Sequence, residues 1–138
     1  MINNERTSLF VDLERSMITA YTIARDLYLI AIIAANVDMA ALIATIAHPE
    51  TSTTFIDRFL ASAEAYRVPV LIVFNKTDLY SEEELRQMDE LVTLYRSIGY
   101  ECLACSAEKG NGLDELRTVL QDKTTLLSGN RGVGKSTL

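Results

Sequence analysis

The sequence is poor in the residues that build disulfide and metal frameworks. Its 138 residues include two cysteines, one histidine and no tryptophan. Cys102 and Cys105 form a single C-x-x-C, whereas a structural zinc site needs four ligands and a redox C-x-x-C is expected where a helix begins. The pair lies inside the apolar run ECLACSA, so we predict two free thiols buried in a strand. His48 precedes Pro49 and is predicted to lie in a turn or at a strand end.

Basic charge is also scarce. Thirteen Lys and Arg residues stand against 19 Asp and Glu residues, and the net charge is −6. Nucleic-acid affinity rests on a basic face, so broad binding to a nucleic-acid backbone is not expected of this chain, although a local basic patch stays open. With 49% hydrophobic and 23% charged residues, the composition is that of an ordinary globular domain. Free thiols without a signal-peptide pattern predict a cytoplasmic location.

One apolar stretch raises the question of a membrane span. Residues 29–47 read LIAIIAANVDMAALIATIA, and Asn36 and Asp38 lie near the middle. A central aspartate costs about 2.5–3.5 kcal/mol on insertion scales, and each apolar half is shorter than the roughly 20 residues that a bilayer needs. We therefore predict two buried segments and no membrane association; an anchor formed by residues 27–47 is the alternative.

From Asp38 onward, the pattern alternates between strands and helices. Apolar runs predict strands, and helical spacing of apolar residues predicts helices. The predicted strands are 39–47, 68–74, 100–107 and 123–129, and the predicted helices are 51–66, 81–99 and 111–121. This order predicts an α/β fold with a parallel sheet of about four strands and helices on both faces. Residues 1–32 form a separate, unassigned segment, whose apolar spacing favours a helix over strands.

A phosphate-binding pattern follows the last predicted strand. GNRGVGKS, residues 129–136, matches G-x-x-x-x-G-K-[ST], in which glycines let backbone amides turn toward an anion. Lys135 would reach the β- and γ-phosphates, and the Ser136 hydroxyl would bind Mg²⁺. The alternative is a glycine-rich corner with an incidental lysine. The predicted phosphate-binding residues are Gly129, Asn130, Arg131, Gly132, Val133, Gly134, Lys135, Ser136 and Thr137.

Two further polar motifs follow predicted strands. The sequence NKTD begins at Asn75, which can bond a base edge and brace the loop. Lys76 can lay its alkyl stem over a base, and the Asp78 carboxylate can accept both hydrogen bonds that guanine offers and adenine lacks. In CSAEKG, Ser106 and Ala107 can place a backbone N–H against guanine O6. Each motif alone is weak, but the three together predict guanine-nucleotide binding, because ligands gather beyond the carboxyl ends of parallel strands.

The order of these motifs is unusual, because the phosphate loop comes after the base-reading motifs. Together with IAANVD, HPETSTTFIDRFLASAEAY, FNKTDLY, SAEKGNGLDEL and LLSGNRGVGKSTL, this order resembles the circularly permuted, ribosome small-subunit-dependent GTPases of the RsgA/YjeQ type, closest to Bacteroidetes-like versions. The resemblance covers residues 33–138. It implies a permuted three-layer P-loop G domain that binds GTP or GDP with Mg²⁺ and acts with the small ribosomal subunit and its RNA.

Three departures qualify what the resemblance implies. Residues 1–32 are too short for the family's N-terminal OB barrel, and the family's zinc module is missing. None of the six glycines has an aspartate three positions before it, so the family's D-x-x-G motif is missing too. Arg131 stands where a small residue is expected. The sequence therefore predicts a partial G domain with weak or no hydrolysis, for which a purely structural role is the alternative. An open sheet edge beside residues 124–128 would favour a dimer unless the N-terminal segment covers it.

Overall fold

The sheet is built from five parallel strands in the order β1-β5-β2-β3-β4. The computed structural model describes residues 9–11 and 36–138 of the chain. The strands are β1 (Leu9–Val11), β2 (Met39–Ala44), β3 (Val70–Phe74), β4 (Glu101–Ala104) and β5 (Thr125–Gly129). The helices are α1 (Thr53–Ala65), α2 (Glu82–Ser97) and α3 (Leu113–Leu120), with a short 3₁₀ turn at Thr77–Leu79.

Helices cover both faces of the sheet and produce two core layers. Alternate residues of the strands point to opposite faces, so β2 divides its side chains between the layers. Leu42 packs with Ile56 of α1 and Tyr95 of α2 on one face. Ile43 packs with Leu116 of α3 on the other face. Strands β2, β3 and β5 are buried along their whole length, which explains why each reads as a continuous apolar run.

The helix boundaries follow from local capping. The Ser52 hydroxyl accepts a hydrogen bond from the Phe55 amide at the start of α1. At the start of α2, the Glu84 amide donates to Ser81 Oγ and the Ser81 amide donates to Glu84 Oε1, which completes the predicted capping box. These bonds to Ser81 lower the pKa of the Glu84 carboxyl, since they favour its charged form.

The N-terminal segment gives one correction. Residues 9–11 form a strand, with Leu9 paired to Leu126 and Val11 to Ser128, so the helix prediction is wrong for these three residues. The rest of that prediction lies outside the described residues. Three residues are too few to show the alternation of apolar and polar side chains that predicts a strand. Their extended conformation depends on pairing with β5, which the sequence does not show. Because β1 occupies this edge of β5, the reason for predicting a dimer there is lost, and the alternative of a covering N-terminal segment agrees with the pairing.

Candidate phosphate- and base-binding site

The predicted phosphate loop leaves β5 at the carboxyl edge of the sheet. Two of its glycines, Gly129 and Gly134, are required by close approaches. A Cβ atom on Gly129 would lie 2.5 Å from the Ile43 carbonyl oxygen, and one on Gly134, where φ is +96°, would lie 2.4 Å from Asn75 Nδ2. The Leu138 amide donates to the Gly134 carbonyl over 3.3 Å, which closes a single helical turn at the end of the loop.

Asn75 ties the phosphate loop to the loop after β4. Its side chain is 2% exposed, and Nδ2 donates to the Val133 carbonyl over 2.9 Å. Oδ1 accepts from the Ala107 amide over 3.0 Å. The three predicted motifs therefore meet at one buried side-chain amide. Its nitrogen bonds the phosphate loop, and its oxygen bonds the loop after β4.

The side chains of two further residues of the NKTD motif, Lys76 and Asp78, join the same loops. Lys76 Nζ donates to the Gly132 carbonyl of the phosphate loop over 2.6 Å. Ser106 is fully buried, and its hydroxyl donates to Asp78 Oδ1 over 2.6 Å. Because Asp78 itself is exposed, one carboxylate oxygen is fixed in position while the group still faces solvent.

The loop after β4 is closed by its own backbone. The Ser106 amide donates to the Asn111 carbonyl over 2.9 Å, and the Gly110 amide donates to the Ser106 carbonyl over 2.8 Å. Both amides predicted to face guanine O6 thus have protein acceptors, namely the Asn111 carbonyl for Ser106 and Asn75 Oδ1 for Ala107. A base oxygen would have to share the Ala107 amide with Asn75.

A cavity of about 470 Å³ opens over the phosphate loop. Its lining contains three cationic side chains and no acidic one, which suits a polyanion. The lining residues are Lys76, Arg131, Gly132, Gly134, Lys135, Ser136 and Thr137. The Lys135 ammonium donates to the Gly129 carbonyl. Asn130 Oδ1 is buried and has no hydrogen-bond partner in the described part of the chain.

The residues present fit a magnesium nucleotide. Mg²⁺ is commonly held by few protein oxygens together with substrate phosphates, and Ser136 places a hydroxyl in the lining. Residues 9–11 and 36–138 contain no cluster of three His, Cys, Asp or Glu side chains that could hold a metal without such a ligand.

The turn at residues 45–51, where His48 was predicted to lie in a turn or at a strand end, supports the site through contacts that the sequence did not indicate. Pro49 lies against Gly132, since a Cβ atom there would meet the proline ring at 3.5 Å. The His48 carbonyl accepts from Lys76 Nζ over 2.6 Å. The turn therefore contacts both the phosphate loop and the NKTD motif. Its contacts use the His48 carbonyl and a proline ring, and the sequence gives no signal for such contacts.

Tyr80 also supports the site, and the sequence did not indicate this role. Its hydroxyl donates to the Asn75 carbonyl and accepts from the Ile46 amide, the latter over 2.9 Å. Burial is the main reason that the pKa of Tyr80 is raised to about 12. Tyr80 therefore stays protonated near neutral pH and links the turn to the peptide unit of Asn75.

Both cysteines are buried and free, as predicted, but they do not share one strand. Cys102 lies in β4, and Cys105 lies one residue past its end. They pack in opposite core layers. Burial raises the pKa of the Cys105 thiol to about 11, which disfavours the reactive thiolate.

No helix in the described ranges has the length and apolar character needed to cross a bilayer. Part of the apolar stretch 29–47 is the buried strand β2. Residues 29–35 lie outside the described ranges.

A family model described as RsgA GTPase matches residues 14–138. The chain belongs to the RsgA GTPase family. The predicted family is thereby confirmed, and the match begins inside the segment 1–32 that the sequence analysis left unassigned.

Relatives of this RsgA-family chain agree with the assignment. The small ribosomal subunit biogenesis GTPase RsgA of Bacteroides fragilis is 61% identical over 107 residues, or 78% of this chain and 34% of that protein. The protein of the same name from Phocaeicola vulgatus is 54% identical over 141 residues, or 100% of this chain and 45% of that protein. The chain thus spans between a third and a half of the length of these relatives.

Two solved structures share the fold. The crystal structure of YjeQ from Thermotoga maritima has a TM-score of 0.71 and 43% identity, over 74% of this chain and 36% of that one. YloQ, titled a circularly permuted GTPase, has a TM-score of 0.66 and 34% identity, over 74% of this chain and 36% of that one. The predicted α/β fold with permuted GTPase order is confirmed.

Proposed function

We propose that this chain binds GTP or GDP with Mg²⁺ at the carboxyl edge of its sheet. One observation carries the proposal: the buried Asn75 amide connects the phosphate loop at Val133 to the base-side loop at Ala107. The two loops are thereby held side by side at the edge of the sheet where the base and the phosphates of a nucleotide would bind. Residues 129–137 would hold phosphates, and Ser136 would be the protein ligand of Mg²⁺.

Guanine would be selected at Asp78. A carboxylate accepts from guanine N1–H and from its exocyclic amine, whereas adenine would leave the charge unpaired. Ser106 supports this role because its hydroxyl fixes Asp78 Oδ1. Lys76 would cover the base with its stem, and Ala107 would back the base at O6 by sharing its amide with Asn75.

The activity of the longer family members is a further proposal. Two relatives are named as small ribosomal subunit biogenesis GTPases, and we propose that this chain serves as the nucleotide-binding part of a cytoplasmic protein that hydrolyses GTP on that subunit. No D-x-x-G occurs in the sequence, so we expect nucleotide binding with little hydrolysis by these 138 residues alone. The YjeQ and YloQ structures support the fold of the site, and the ribosomal partner is inferred from the relatives' names.

The base test compares fluorescent GDP and ADP analogues, titrated with Mg²⁺ into the wild type and Asp78→Ala. We expect the wild type to prefer GDP by at least about a hundredfold and the variant to lose that preference. Glu108→Ala removes an exposed carboxylate from the neighbouring loop and is the matched control. Equal wild-type affinity for GDP and ADP would refute guanine recognition.

A further inference from the structure

The cations that line the cavity differ in what they already bind. The Lys76 ammonium is held by the carbonyls of His48 and Gly132, and the Lys135 ammonium is held by the Gly129 carbonyl. Arg131 is exposed, and its guanidinium has no hydrogen-bond or ion-pair partner among residues 36–138 or the strand 9–11. A ligand can therefore engage Arg131 without displacing a contact from the described part of the chain.

The backbone around Arg131 is anchored although its side chain is exposed. The next two carbonyls along the loop, of Gly132 and Val133, accept from Lys76 and Asn75. Pro49 lies against Gly132. These contacts fix where the side chain starts, so Arg131 is presented to the cavity by an ordered loop.

We propose that Arg131 selects for the longer phosphate chain, so that it strengthens binding of guanosine triphosphate more than of guanosine diphosphate. This inference rests on the proposed nucleotide site. A guanidinium binds phosphate oxygens through two parallel N–H bonds, and such charge-assisted bonds are stronger than neutral ones. A third phosphate adds negative charge to the ligand. Arg131, which has no partner within 9–11 and 36–138, gains most from that charge.

The effect should be moderate because Arg131 is exposed and salt screens its charge. Arg131→Ala should weaken a non-hydrolysable GTP analogue about five- to tenfold, GDP about two- to threefold, and GMP hardly at all. Arg131→Lys keeps the charge but not the planar fork, so it should recover part of the loss.

The experiment measures dissociation constants for GMP, GDP and the β,γ-imido analogue of GTP with Mg²⁺, using the full chain. The variants are Arg131→Ala, Arg131→Lys and the control Arg58→Ala. Arg58 is an exposed arginine of α1, so its removal changes the net charge equally without touching the cavity. A loss that grows with phosphate number in Arg131→Ala alone supports the inference.

Several results would overturn it. One is equal weakening of all three ligands by Arg131→Ala, another is no weakening of the GTP analogue, and a third is the same pattern in Arg58→Ala. The matching adenine series separates this inference from the proposed function. If adenine and guanine nucleotides bind alike but the Arg131 effect persists, guanine recognition fails and the inference stands. If the wild type binds no nucleotide at millimolar concentration, both are refuted.

Discussion

Replacement of Asn75 by alanine should destabilise the protein and separate the two sides of the site. The variant removes the donor to the Val133 carbonyl and the acceptor for the Ala107 amide. A buried polar group without its partner costs about 1–3 kcal/mol. Two such groups beside an open cavity, where water can reach one of them, give a loss of about 2–4 kcal/mol in the free energy of unfolding.

Urea denaturation followed by circular dichroism measures this loss. With a slope of about 2 kcal/mol per molar urea, the midpoint should fall by roughly 1–2 M. Asn111→Ala is the control, since Asn111 is exposed and contributes its backbone carbonyl to the loop. Its midpoint should move by less than the equivalent of about 0.5 kcal/mol.

A double-mutant cycle makes the test specific for the contact between Asn75 and Gly134. In the wild type, Gly134→Ala would bring a Cβ atom within 2.4 Å of Asn75 Nδ2. In the Asn75→Ala background this clash is absent, although the positive φ of Gly134 still disfavours alanine. We expect the second substitution to cost about 1 kcal/mol less there. An Asn75→Ala midpoint equal to that of the wild type, or additive costs in the cycle, would contradict the reasoning.

Two further predictions concern buried hydroxyl and thiol groups. Tyr80→Phe should lower the free energy of unfolding by about 1–3 kcal/mol, because the Asn75 carbonyl and the Ile46 amide lose their partner. The control is Tyr100→Phe, which removes only a 3.4 Å hydrogen bond to Glu64. Equal urea midpoints for the two variants would argue that the Tyr80 hydroxyl does not stabilise the fold. Burial raises the pKa of Cys105 from 9.0 to about 11, so the folded state holds the thiol proton more tightly than the unfolded chain does. The contribution of this proton to the free energy of unfolding is complete below pH 9 and is lost as the pH rises toward 11. At pH 8, native Cys105 should hold about a hundredfold less thiolate than in urea, and iodoacetamide modification followed by mass spectrometry would disprove this if the two rates matched.

Much of the fold could be predicted because its signals are local. The strands β2, β3 and β5 are covered on both faces and read as apolar runs. Ser81, with Glu84 three residues later, marked the start of α2 without any tertiary information. The strand β1 could not be predicted, because its three residues gain their conformation from pairing with β5. The end of β4 was placed too late, because Cys105 stays buried after the strand pairing ends.

The candidate site was predictable for a similar reason. The motifs after β3, β4 and β5 had to meet at one edge once the strands were parallel. The supporting role of the turn at 45–51 and of Tyr80 was not predictable, because it depends on hydrogen bonds and contacts with residues that are distant in the sequence. Sequence patterns show which side chains are present, but they do not show which carbonyl a hydroxyl will reach.

The position of β5 has a consequence for how the protein folds. Among the described strands it comes last along the chain, yet it lies between β1 and β2. Until it emerges, β2 exposes an unpaired and fully apolar edge, which is prone to pair with another chain. Closing the sheet then requires contacts between residues as far apart as Leu9 and Leu126, and contacts over such sequence separations form slowly. The strand that carries the predicted phosphate loop thus also joins β1 to β2, so that the candidate site and this part of the sheet form in the same step.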